Sequence, residues 1–201
     1  MCGIAGLVDF KVAPEPATLR AMELALMHRG PDEGGVWSAG PVGLVHRRLR
    51  IIDLSPAGAQ PMQNEDGRVR VAFNGEIYNH HALRKELVQL GHTFRSRSDT
   101  EVLVHGYESW GTDLVRRLRG MFAFALWDDK EERLLIARDR VGKKPLFYST
   151  NAGRFVFGSE LDVFKAVPGW PLRLSLPSFR EYLEYGYVQS PNTIQIGRAH
   201  V

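Results

Sequence analysis

Apolar positions divide this chain into period-two segments on either side of a central block with helical period. Residues 2–10 are apolar and dotted with glycine, the pattern of a buried strand. Residues 16–27 place Leu19, Met22 and Leu26 at helical spacing, and Gly30-Pro31 supplies the stop. Residues 34–52 alternate short apolar runs with Gly and Pro and read as strands, and residues 55–67 read as loop. The strict alternation of RVRVAF (residues 68–73) runs into Asn74-Gly75 and then Glu76 to Tyr78, which predicts a hairpin turn at the Asn-Gly pair.

The helical block follows. Asn79 is placed to cap a helix that carries Leu83, Leu87 and Leu90 on one face and closes at Gly91. Ser98-Asp99-Thr100-Glu101 has the Ser-x-x-Glu form of a capping box. It opens a helix through Val102, Leu103, Tyr107 and Trp110, with Gly111 at its end, and residues 114–118 form a short helix. After Gly120 the period returns to two. MFAFALW, RLLIARD, PLFYS and RFVFG are four strands joined by polar turns, and residues 177–185 form a last helix. Strands joined by tight turns pair antiparallel, so the fold class is α+β.

Composition narrows the function. At 201 residues and 44% hydrophobic, the chain is an ordinary globular one, long enough to bury a core without staples. A net charge of +3 is too small to argue for nucleic acid, and the arginines lack interleaved aromatics. No apolar run spans a membrane, and the start meets Asp9 too soon for a signal peptide. One cysteine excludes an internal disulfide and fits a reducing compartment, so a cytoplasmic protein is expected. The seven histidines show no metal-ligand spacing, so no metal is expected, and no P-loop or dinucleotide glycine signature occurs.

The cysteine is Cys2. Removal of Met1, which aminopeptidases perform when the next residue is small, would leave a thiol and a free α-amine on one residue. An α-amine ordinarily titrates at about 7.7–8.0, so it can take up the thiol proton directly or through a water. That is the N-terminal variant of nucleophilic catalysis, and it needs no histidine. A turn at Asn74-Gly75 would present a side-chain amide and a backbone N–H side by side as oxyanion donors, with Glu76 next to them. Arg48 could hold a carboxylate through a bidentate fork, or be one of several solvated strand arginines. Asp99 could bind an ammonium, or serve the first turn of its helix.

Seven blocks occur in order: residues 1–6 (MCGIAG), 28–32 (HRGPD), 48–53 (RLRIID), 74–79 (NGEIYN), 98–101 (SDTE), 120–125 (GMFAFA) and 138–146 (RDRVGKKPL). Together they closely resemble the glutaminase half of glutamine-hydrolysing asparagine synthetases, a class II glutamine amidotransferase domain of the N-terminal nucleophile fold. The resemblance implies a four-layer αββα sandwich of two antiparallel sheets. It implies Cys2 as nucleophile, Asn74 and the Gly75 N–H as oxyanion hole, and Arg48 on the glutamine α-carboxylate. Glu76 and Asp99 would hold the α-ammonium, and Leu49, Arg50, Ile51 and Ile52 would give backbone contacts. In that family ammonia passes through a tunnel to a C-terminal domain, where ATP activates aspartate. ATP and Mg2+ are therefore implied for that domain, and no cofactor for this segment. A homodimer is possible.

The pattern also departs from the family. Asp162 follows Ser159-Glu160-Leu161 where a lysine is usual, and the synthetase domain and a Lys-Leu-Pro-Pro-Gly-His stretch are missing. The resemblance ends at Ile194. Residues 195–201 (QIGRAHV) translate CAG ATC GGA AGA GCA CAC GTC, which matches a common sequencing adapter from its AG onward. The expected domain is thus 1–194, truncated at its C-terminal end, with a non-native tail at 195–201. Glucosamine-phosphate synthase and the purine-pathway amidotransferase carry an Arg-Trp/Tyr-Ala/x-Thr motif where this chain has Arg48-Leu49-Arg50-Ile51. Amidotransferases of exopolysaccharide or secondary-metabolite pathways share most blocks, so the amide acceptor stays open, as does a glutamine-binding or docking domain without turnover.

Overall fold

The computed structural model describes residues 1–172, 174–189 and 192. The expected tail at 195–201 and the domain end at Ile194 lie outside them.

Two antiparallel sheets are stacked between helices. The first has five strands in the order β2 (Glu33–Ala39), β3 (Val42–Arg48), β1 (Gly3–Asp9), β9 (Arg154–Gly158) and β8 (Phe147–Asn151). The second has four, in the order β4 (Met62–Gln63), β5 (Val69–Ile77), β6 (Gly120–Asp128) and β7 (Arg133–Arg138). The four consecutive strands expected after Gly120 therefore split, two to each sheet. Helix α1 (Pro16–Ala25) covers the first sheet together with the one-turn α5 (Asp162–Lys165). Helices α2 (His80–Gln89) and α3 (Glu101–Trp110), with the short α4 (Leu114–Arg117), cover the second. Helix α6 (Leu176–Tyr185) ends on Gly186, which adopts a left-handed φ of 78°.

Strand alternation sorts the side chains into three cores. Ala5 and Leu7 face α1 and α5, whereas Ile4 and Val8 point the other way, into the space between the sheets. In β5, Val71 and Phe73 meet the helices while Ala72 faces the first sheet. The inter-sheet face of the second sheet is lined by Ala72, Ala123 and Ala125, opposite Ile4, Leu44 and Phe157. Small side chains on one face let the large ones on the other interdigitate. Among the described residues, no helix is long and apolar enough to cross a membrane.

Four local expectations are corrected. Asn74-Gly75 makes no turn: β5 runs through both residues, with Asn74 opposite Ala123 and Gly75 opposite Phe122. The turn with two positive φ values lies instead at Ala152 (51°) and Gly153 (84°), between β8 and β9. Asn79 does not cap α2 with its side chain, which ties down the approach to β6 by accepting from Arg119 N–H and donating to Arg117 O. The capping box is not closed either. Glu101 accepts from the backbone N–H groups of Arg95 and Ser96 and from the Ser96 hydroxyl, one turn further back than Ser98. The loop expected at 55–67 also contributes the two residues of β4.

One polar group clasps the sheets together. His46 of β3, 1% exposed, lies 3.0 Å through Nε2 from the carbonyl of Phe73 in β5. Burial, with Arg48 and Arg47 adding repulsion, pushes its pKa down from 6.5 to about 3, so the ring is neutral and Nε2–H donates. Unfolded chains bind a proton here below pH 6.5 and folded chains do not until about pH 3, so stability rises with pH across that window. Asp99, whose carboxyl burial pushes up, adds an opposing slope that wild type and a His46 variant share, so their difference reports His46. Denaturant unfolding should therefore show stability falling from pH 6.5 toward 4.5 in the wild type and a flatter limb in His46→Gln. An unchanged slope would remove His46 as its source.

Candidate active site

Cys2 precedes β1 at the open end of the sandwich. By alternation it shares the inter-sheet side with Ile4, and Asn74 shares that side with Ala72 in the facing sheet. Cys2 and the Asn74 amide therefore converge because each strand holds its phase. Cys2 lies at the junction of two lobes of one cavity. The wider lobe, about 500 Å3, is lined by Cys2, Asn74, Gly75, Glu76 and Lys144, with Met1 at its edge. The smaller, about 60 Å3, is lined by Cys2, Arg48, Leu49, Gly75, Asp99 and Gln60. Ile51 and Ile52 border both.

Backbone and charge hold Cys2 in place. Leu49 N–H lies 3.4 Å from Sγ as a donor, and Sγ lies 3.7 Å from Leu49 O. Arg29 donates from Nε to the Cys2 carbonyl at 3.0 Å and is itself gripped by Glu160 at 2.9 Å. Against the effect of burial, hydrogen bonds from Arg29 and His28 hold the Glu160 carboxyl below the usual range. Arg29 and Glu160 went unassigned in the sequence because their partners lie far along the chain. Lys144 Nζ sits 3.2 Å from Met1 Sδ, and burial lowers its pKa.

Asn74 is 1% exposed, and its Nδ2 has no hydrogen-bond acceptor among the described residues. A buried amide donor left unmade costs about 1–3 kcal/mol, which a structure tolerates where an acceptor arrives later. Gly75 explains how the strand passes so close to its neighbour. Its φ lies outside the left-handed region, but an added Cβ would stand 2.3 Å from Met121 O and 2.7 Å from Phe122 Cα.

Arg48 is 5% exposed and reaches the smaller lobe. Nη1 donates to Glu33 Oε2 at 2.9 Å and to Ser55 O at 3.2 Å, and Nη2 donates to Asp53 O. Gly58 makes the room, since a Cβ there would lie 2.1 Å from Nη2. Asp99 accepts from Ile77 N–H at 2.8 Å, and burial, reinforced by nearby Glu76, raises its pKa. It is a carboxylate short of positive charge. The structure thus brings together Cys2, Arg48, Leu49, Ile51, Ile52, Asn74, Gly75, Glu76 and Asp99. Arg50 is the exception. It follows the end of β3, lines neither lobe, and spends its backbone N–H on Asp32 and its guanidinium on Glu33.

Comparison with solved structures finds the same fold in an amidotransferase. Glutamine phosphoribosylpyrophosphate amidotransferase from Bacillus subtilis superposes with a TM-score of 0.67 at 21% identity, covering 82% of this chain and 43% of that one. The glutamine amidotransferase domain model matches residues 1–198, and the chain belongs to that family. Its curated relatives include a glutamine-hydrolyzing asparagine synthetase of Bacillus subtilis, 42% identical over 96% of this chain and 32% of the relative. A probable glutamine-hydrolyzing asparagine synthetase of Dictyostelium discoideum is 38% identical over 92% of this chain and 35% of the relative. The chain therefore spans about a third of the length of the relatives it matches.

Gly75→Ala should cost about 1–3 kcal/mol, the usual range for overpacking, because β5 and β6 must part to admit the methyl. Urea unfolding measures it. A neutral result would mean that the close approach at Met121 does not constrain residue 75.

Proposed function

We propose that this domain hydrolyses glutamine to glutamate and ammonia through a thioester on Cys2. The observation that carries the proposal is the buried Asn74 Nδ2, without an acceptor among the described residues, on the wall of the cavity that Cys2 also lines. With Met1 removed, the Cys2 α-amine takes the thiol proton and Sγ attacks the side-chain amide carbon. The oxygen that becomes negative is met by Asn74 Nδ2–H and by the Gly75 N–H. The proton returns to the leaving nitrogen and ammonia departs. Water then attacks the thioester, and glutamate leaves with the thiol restored.

The α-groups of glutamine sit in and beside the smaller lobe. Arg48 faces the α-carboxylate from a position braced by Glu33 and the Asp53 and Ser55 carbonyls. Asp99, with Glu76 beyond it, supplies the charge for the α-ammonium. The ammonia would serve an amidation carried out by the remainder of an asparagine synthetase-type chain, in which aspartate activated with ATP and Mg2+ is the acceptor.

Cys2→Ala should abolish glutamate release while leaving the thermal transition in place, and wild-type turnover in that variant would refute the mechanism. Asn74→Ala should lower kcat by about 10²–10³, the penalty for one oxyanion donor, with less effect on KM. An effect confined to KM would deny the donor role. Arg48→Lys should raise KM, because a point charge cannot reproduce the fork. Arg50→Lys should leave KM near wild type, and equal shifts at both positions would mean that Arg48 is not the carboxylate clamp.

A further inference from the structure

A second group of side chains converges away from the cavity, where the chain passes from α2 to α3. Helix α2 ends in a Schellman motif. Gly91, with φ of 100°, donates its N–H to Val88 O, and His92 donates its N–H to Leu87 O at 3.0 Å. That fixes His92 over α3, where His105 and Glu108 share one face at i and i+3. The potential ligand atoms of His92, His105 and Glu108 lie within 4.8 Å of one another. Glu108 Oε2 is 2.9 Å from His105 Nδ1 and 3.7 Å from His92 Nδ1.

The other polar atom of each of these side chains has a neighbour that orients it. His92 Nε2 is 2.7 Å from Ser109 Oγ, and Glu108 Oε1 accepts from Asn64 Nδ2 at 2.8 Å. His105 is 1% exposed, and its Nε2 has no hydrogen bond among the described residues but lies 3.7 Å from Glu101 Oε1. Glu101 is itself clamped by the Arg95 and Ser96 N–H groups and the Ser96 hydroxyl.

We propose that His92 Nδ1, His105 Nδ1 and Glu108 Oε2 bind a divalent first-row transition ion, with Zn2+ as its occupant. Two imidazoles and one carboxylate are a zinc donor set, and small side-chain rotations bring them to the bond lengths of about 2.0–2.2 Å that zinc requires. The surroundings resemble those of metal-bound histidines, with the distal nitrogen of His92 on a hydroxyl and that of His105 turned toward the Glu101 carboxylate at 3.7 Å. Three carboxylates, Glu65, Glu101 and Glu108, lie within 4.0 Å of His105 and favour a dication. The His92 and Glu108 side chains are 20% and 25% exposed against 2% for His105, so a fourth position faces water. The ion replaces the proton that His105 and Glu108 otherwise share. Periodicity could not reveal the set, because His92 joins the other two only through the turn at Gly91.

The full chain, stripped with a chelator, is titrated with Zn2+ by calorimetry and with Co2+ by visible absorption. One ion per chain, tetrahedral Co2+ bands and a raised melting temperature are expected. Cys2→Ser should keep that stoichiometry, which separates the site from the catalytic thiol and leaves the result independent of the proposed hydrolysis. His92→Ala should lose the ion while melting like wild type in chelator, and Ser109→Ala should weaken binding by about 10–100-fold. No saturable binding would show a plain His–Glu ion pair and overturn the proposal. So would binding that survives His92→Ala and Glu108→Gln, or binding lost in Cys2→Ser.

Discussion

Everything at the cavity depends on two sheets lying face to face and held at one separation. The alanines of β5 and β6 set that separation by leaving room for Ile4, Leu44 and Phe157, and His46 closes it with a single hydrogen bond to Phe73. Phe73 is the neighbour of Asn74 in β5, and His46 lies two residues from Arg48 in β3. The clasp therefore fixes the sheet of Cys2 relative to the sheet of Asn74 beside the cavity that both residues line. A neutral imidazole suits this position, since a charged one would be desolvated beside two arginines.

The site divides its labour between rigid and open parts. Rigid elements surround Cys2: β1 behind it, Arg29 on its carbonyl, and Leu49 on its sulfur. Facing the cavity are the Asn74 Nδ2, which has no acceptor among the described residues, and an Asp99 carboxyl that accepts from Ile77 N–H and whose burial raises its pKa. Preorganisation of this kind places the cost of desolvation in the folding reaction, so that it need not be met during turnover. Arg48 combines both roles, because its guanidinium braces the 53–55 loop and borders the smaller lobe at once.

Much of this was legible in the sequence, for physical reasons. Alternation found the strands, and the helical spacing of Leu83 and Leu87 found α2. Ordered motif blocks gathered nearly all the cavity-lining residues. What failed was local turn chemistry overridden by long-range pairing. Asn-Gly favours a two-residue turn, but Gly75 is required where β5 approaches Met121, and nine residues of β5 pair in register with β6. Asn79 has a capping side chain that distant partners claim; Ser98 Oγ does accept from the Thr100 N–H, but Glu101 turns to Arg95 and Ser96 and leaves the box half made. The resemblance included Arg50 only for a backbone contact, as part of residues 49–52; it follows the end of β3, and its N–H goes to Asp32. The pairing of Arg29 with Glu160 was not legible because the two lie 131 residues apart.

The phase of β1 has a consequence for how this site can vary. Cys2 reaches the cavity only because it stands an even number of positions from Ile4 and Val8, the two that seat β1 between the sheets. Inserting or deleting one residue anywhere between Cys2 and Gly6 would turn the thiol toward α1 even though every side chain of the motif survived. The spacer is thus part of the site, and it tolerates exchange of residue identity far more readily than change of length. Evolution or design acting on this start can repack it but cannot resize it by a single step.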